Sequence, residues 1–126
     1  MAKVLVVDQE LSYCQSIAQQ LADEGHQIEF ATTALDAAQL ARQFAPDLLI
    51  ADSLVFGSPE SQELLAEIFR AAPRPRTILM TGFPEDTLEQ TLGKTRFDAL
   101  LTKPFTLVEL SQAVALALGN DSPDLP

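Results

Sequence analysis

Short apolar runs alternate along this chain with stretches whose apolar residues recur at helical spacing, and that rhythm constrains the fold more than any other feature. Val4-Leu5-Val6-Val7, Leu48-Leu49-Ile50-Ala51 and Thr77-Ile78-Leu79-Met80 are continuous runs of the kind buried on both faces of a parallel sheet. Gln27-Ile28-Glu29-Phe30-Ala31 alternates polar and apolar, as a half-exposed edge strand does, and Ala99-Leu100-Leu101 is a last short strand. Between them lie helical stripes. Cys14, Ile17, Ala18 and Leu21 form one, stopped by Gly25. Ala34, Ala37, Ala38 and Ala41 form a second, ended before Pro46. Ser58-Pro59 is an N-cap with proline at the first helical position, opening a helix whose inner face is Leu64, Leu65, Ile68 and Phe69 and which Pro73 and Pro75 close. A weak helix is expected over residues 85–92, from Glu85, with Leu88 and Leu92 as its anchors. Thr106-Leu107-Val108-Glu109 is a capping box opening a final helix that carries Leu110, Ala113, Val114, Ala117 and Leu118. Strict β-α alternation implies a parallel sheet with right-handed crossovers and helices on both faces. Two edge-like and three central strands suit an open doubly wound sheet of order 2-1-3-4-5.

Composition agrees with one compact domain. The chain has 126 residues, 47% hydrophobic and 21% charged, with a net charge of −10. That balance belongs to a folded domain of this length rather than a disordered segment. The domain is expected over residues 1–119, with residues 120–126 as a tail or the start of a linker. No apolar run approaches the ~20 residues of a membrane span, and no secretory signal is visible, so a cytoplasmic location is expected. The single cysteine, Cys14, fits a reducing compartment and reads as a packed core thiol. The acidic balance argues against direct nucleic-acid binding. His26, in a turn before the edge strand, reads as a surface residue.

The chemistry gathers at the carboxyl ends of the strands. Strand one runs into Asp8-Gln9-Glu10, strand three into Asp52-Ser53, strand four into Thr81-Gly82, and strand five into Lys103-Pro104-Phe105. In a doubly wound sheet these ends converge on one crevice. Clustered carboxylates call for a cation, and oxygen donors without His or Cys point to a hard ion such as Mg²⁺. A carboxylate beside such an ion, a threonine and a lysine is a plausible nucleophile for a phosphoryl group. Taken singly, each of these residues is better explained as a strand-end acid, a turn or a surface charge. Their joint occurrence at four strand ends favours a site.

The stretches VLVVDQE, PDLLIADSLVFG, ILMTG and FDALLTKPF resemble the response-regulator receiver family of two-component signalling, from Lys3 to about Gly119. The resemblance implies a flavodoxin-like (βα)5 fold and a set of roles. Asp52 matches the phosphoacceptor, taking a phosphoryl group from a sensor histidine kinase or phosphotransfer protein. Thr81 and Lys103 match the hydroxyl and the ammonium that meet that group. Asp8, Asp52 and the backbone carbonyl of Leu54 match the ligands of Mg²⁺. The Lys103-Pro104 bond is commonly cis in the family. Such a module catalyses only its own phosphorylation and hydrolysis and is not otherwise an enzyme. A downstream protein would dock on the helix at residues 85–92, the last strand and the last helix, where Lys94 and Arg96 add positive charge.

The chain departs from that family at Gln9, which stands where a second Asp or Glu usually touches the ion. Its uncharged amide is either a weak ligand or a bystander, so weaker metal binding and slower phosphotransfer are expected. Leu100 replaces the usual Tyr or Phe three residues before the lysine, and Arg96 replaces a usual glycine. These departures motivate the alternative of a degenerate, phosphate-independent receiver acting as an interaction module. An aspartyl-phosphate hydrolase ranks lower, because the position two after Asp52 is Leu54 rather than Asp. A flavin binder also ranks low, because the loop Gln9-Glu10-Leu11 lacks a phosphate cradle.

Overall fold

A computed structural model of the chain describes residues 2–82 and 97–119. Its elements are β1 (Lys3–Val7), α1 (Leu11–Asp23), β2 (Gln27–Ala31), α2 (Ala34–Phe44), β3 (Leu48–Asp52), α3 (Pro59–Phe69), β4 (Arg76–Thr81), β5 (Ala99–Thr102) and α4 (Leu107–Ala117). The five strands form one sheet in the order β2-β1-β3-β4-β5, and every pairing is parallel. The expected doubly wound order is therefore the observed one, with β2 and β5 as edges. The helix expected over residues 85–92, with Gly93, Lys94 and Arg96, and the tail at 120–126 lie outside the described residues. No helix among the described residues is long and apolar enough to cross a membrane.

Side-chain alternation along the central strands divides the core in two. Val4, Val6, Leu48, Ile50, Ile78 and Met80 face α1 and α4, packing on Cys14, Ile17, Leu21, Leu110 and Val114. Leu5, Val7, Leu49, Ala51 and Leu79 face α2 and α3, packing on Ala34, Ala37, Leu65 and Ile68. Burying a leucine or isoleucine of this kind contributes roughly 1.5–3 kcal/mol.

The helix ends follow the local chemistry. The Thr33 hydroxyl accepts from the Asp36 N–H at 3.1 Å, and the Ser58 hydroxyl accepts from the Ser61 N–H at 3.1 Å. At α4 the capping box is complete: Thr106 Oγ1 accepts from the Glu109 N–H, and Glu109 Oε1 accepts from the Thr106 N–H. Helix α2 stops at Ala45, which takes a left-handed conformation (φ 51°) just before Pro46. The peptides Ala72-Pro73 and Lys103-Pro104 are cis.

The amino ends of the strands are stitched together by side chains. Asp47 Oδ2 accepts from the Lys3 N–H at 2.9 Å, while the Asp47 carbonyl takes the Arg76 N–H. Asp98 Oδ2 accepts from the Thr77 N–H at 2.7 Å. His26 belongs to this rim too: its Nδ1 accepts from the Ala2 N–H at 3.1 Å, so it is a half-buried structural residue and not the surface group its turn position suggested.

Candidate phosphoacceptor site

At the opposite, carboxyl rim the strand ends bring three of the expected residues into contact. Asp52 closes β3 and is 3% exposed; Asp8 follows β1 and is 1% exposed. Lys103, just past β5, reaches between them, with its Nζ 2.7 Å from Asp8 Oδ2 and 3.0 Å from Asp52 Oδ1. The other Asp8 oxygen accepts from the Glu10 N–H at 2.9 Å, which fixes the loop leading into α1.

Two buried carboxylates and one ammonium leave a net negative charge in a low-dielectric crevice. Burial pushes the Asp52 carboxyl above its ordinary value; Lys103 draws it back in part, and neighbouring Asp8 raises it further. Burial opposes the charge on Lys103, yet its bonds to Asp8 and Asp52 outweigh that cost and hold its pKa above the ordinary lysine value. The ammonium is thus charged across the physiological range.

Thr81 is buried at the end of β4, and its carbonyl accepts from the Lys103 N–H at 2.7 Å, tying the lysine loop to the threonine. Leu54 stands in the turn after β3 with an exposed side chain, and its backbone N–H hydrogen-bonds the Asp52 carboxylate. Gln9 is exposed. Leu100 is 40% exposed on β5 and offers no aromatic ring beside the site.

Several neighbours of the site carry no strand-end signal in the sequence. Tyr13, on the first turn of α1, sets its ring 4.3 Å from the Lys103 ammonium. The same ring lies 5.8 Å from that of Phe105. Ser53 continues the β3–β4 ladder through its N–H to the Met80 carbonyl, and its buried hydroxyl has no hydrogen-bond partner among the described residues. Cys14 packs beneath the site with Sγ 3.4 Å from the Asp8 carbonyl; burial pushes its thiol pKa up, which suits an inert core residue.

The donor set suits a hard cation in kind and limits it in charge. Among the described residues no three His, Cys, Asp or Glu side chains gather as a ready metal site. An ion would draw on the Asp8 and Asp52 carboxylates, a backbone oxygen and water, a coordination compatible with Mg²⁺.

Comparison with known proteins settles the kinship. The family model described as the response regulator receiver domain matches residues 4–115. The chain belongs to the response regulator receiver family. Among solved structures, the receiver domain is similar to NtrX from Brucella abortus (27% identity, TM-score 0.80, 95% of this chain and 27% of that one). It is also similar to the signal receiver domain of an HD domain-containing protein from Pseudomonas fluorescens Pf-5 (29% identity, TM-score 0.78, 94% and 88% covered). A third likeness is to the signal receiver domain of a putative Luxo repressor protein from Vibrio parahaemolyticus (25% identity, TM-score 0.78, 95% and 92% covered). The receiver domain thus spans about a quarter of the NtrX chain and nearly all of the Vibrio one. No curated protein sequence matches it. Receiver membership makes two-component signalling its setting.

Proposed function

We propose that this receiver domain accepts a phosphoryl group on Asp52 from a phosphohistidine of a kinase or phosphotransfer protein, and signals the event to a protein partner. The observation that carries the reading is the Lys103 ammonium lodged between two buried strand-end carboxylates, 2.7 and 3.0 Å away. An Asp52 oxygen attacks phosphorus in line, a P–O bond forms, and the P–N bond to the donor imidazole breaks. Lys103, held in its charged form at physiological pH, neutralises the oxygens of the transferring group as they arrive. Thr81, at the adjoining strand end, supplies a hydroxyl to the same group. When bound, Mg²⁺ held by Asp8, Asp52 and the Leu54 carbonyl would add positive charge against the phosphoryl oxygens. Water later hydrolyses the acyl phosphate, so the domain turns over only its own modification. The output side includes β5 and α4, where a groove of about 370 Å³ is lined by Leu100, Phe105 and Leu116.

Asp52→Asn tests the assignment. It is expected to abolish labelling by acetyl phosphate while retaining the fold. It is also expected to raise the melting temperature, because burial disfavours the Asp52 charge and a neutral amide removes that cost. Labelling that survives the substitution would overturn the reading.

A second reading, a receiver that works as an interaction module without phosphate, is favoured by the exposed Gln9 and Leu100. A titration with Mg²⁺ and beryllofluoride separates the two. A saturable rise in melting temperature supports phosphoacceptance, and a flat response supports the second reading.

A further inference from the structure

Leu100 offers no ring to follow events at Asp52, but the site has an aromatic neighbour on its other flank. Tyr13 places its ring 4.3 Å from the Lys103 ammonium, within the range of a cation–π contact. The lysine is 19% exposed, so this contact is largely shielded from water. The Tyr13 ring also meets Phe105 at 5.8 Å with a 57° tilt, and Phe105 immediately precedes Thr106, the N-cap of α4. Among the described residues the Lys103 ammonium meets three partners: the carboxylates of Asp8 and Asp52, and the face of Tyr13. We propose that Tyr13 is a positioning residue for Lys103, and that its ring follows the ammonium when a phosphoryl group arrives on Asp52.

The physical argument rests on the proposed phosphoacceptor role. Formation of the acyl phosphate removes the charge from the Asp52 oxygen that bonds phosphorus and puts charge on the phosphoryl oxygens beyond it. The ammonium follows its counter-charge outward. The attraction of a cation to a ring depends on both distance and placement over the face, so Tyr13 must either track the lysine or lose it. Tracking changes its packing on Phe105, and losing the ammonium changes the charge facing the ring.

The sequence makes the test clean, since it contains one tyrosine and no tryptophan, and tyrosine emission therefore reports on this ring alone. In the wild-type chain, Mg²⁺ with beryllofluoride is expected to change that emission saturably, in step with a rise in melting temperature. Both effects should vanish in Asp52→Asn. Tyr13→Phe keeps a ring and is expected to react with acetyl phosphate within twofold of the wild-type rate. Tyr13→Leu is expected to react roughly three- to tenfold more slowly. A rise in melting temperature without a change in emission overturns the proposal, as does a wild-type rate in Tyr13→Leu. Should Tyr13→Leu fail to fold, the emission of the wild-type chain still decides. No thermal response in the wild type overturns the phosphoacceptor reading itself, and this one with it.

Discussion

Gln9 is exposed beside Asp8 in the chain and carries a neutral amide where a carboxylate would add a third negative charge. Affinity for a hard cation is tuned largely by the number of charged oxygen ligands, so Gln9→Asp is expected to tighten Mg²⁺ binding on the order of tenfold, measured by calorimetric titration. Lys103 governs the opposite sign of charge. Its folded pKa stands above the ordinary value of 10.5. The stability it contributes is therefore fully present below pH 10.5 and is lost as pH rises through the folded value. Lys103→Met leaves two buried carboxylates without their cation and is expected to cost roughly 2–4 kcal/mol at pH 8 in urea denaturation, somewhat less than a fully buried pair. The gap to wild type should narrow above pH 10.5. Asp8, Asp52, Thr81 and Lys103 were legible because each follows its own apolar run, and the sheet rule brings such ends together. Tyr13 was not. It lies one residue off the inward stripe of α1, and its meeting with a lysine 90 positions away depends on the path of the loop after β5. The unpartnered hydroxyl of Ser53 was equally hidden, since a serine after an aspartate reads as turn chemistry.

Helix α2 ends on Ala45 in the left-handed region, where a Cβ is costly and glycine is at ease. Ala45→Gly is expected to stabilise the domain by about 0.5–1 kcal/mol, seen as a higher denaturation midpoint, because relief of that conformation exceeds the added chain entropy. Pro46 announced the end of the helix in the sequence, but the conformation that turns the chain could not be read from it. The strands were the most legible elements. β3 is buried along its whole length, as its unbroken apolar run required, and β2 is mostly exposed, as an edge strand is, but its alternation is not kept, since Phe30 is exposed and Ala31 buried. The Ser58-Pro59 pair and the Thr106–Glu109 capping box identified the starts of α3 and α4. His26 was misjudged because turn residues are usually solvated, whereas here the imidazole serves the backbone of the neighbouring strand.

At the scale of the molecule, a net charge of −10 on a small domain is a source of self-repulsion. Raising NaCl from low ionic strength to about 0.15 M shortens the screening length to ~8 Å and is expected to raise the melting temperature by a few degrees, read by circular dichroism. Strand order was inferred from alternation and from which runs were fully apolar. The division of the core between two helix pairs follows from the same alternation, but which helices share a face became clear only from the packing. The two ends of the sheet are built differently. At one, Asp47, Asp98 and His26 bind backbone amides of adjoining strands; at the other, the binding is done by a lysine and two acids, whose partners would change under the proposed phosphorylation. The sheet is thus like a fan riveted at its handle, with its charged contacts gathered at the open end of the ribs.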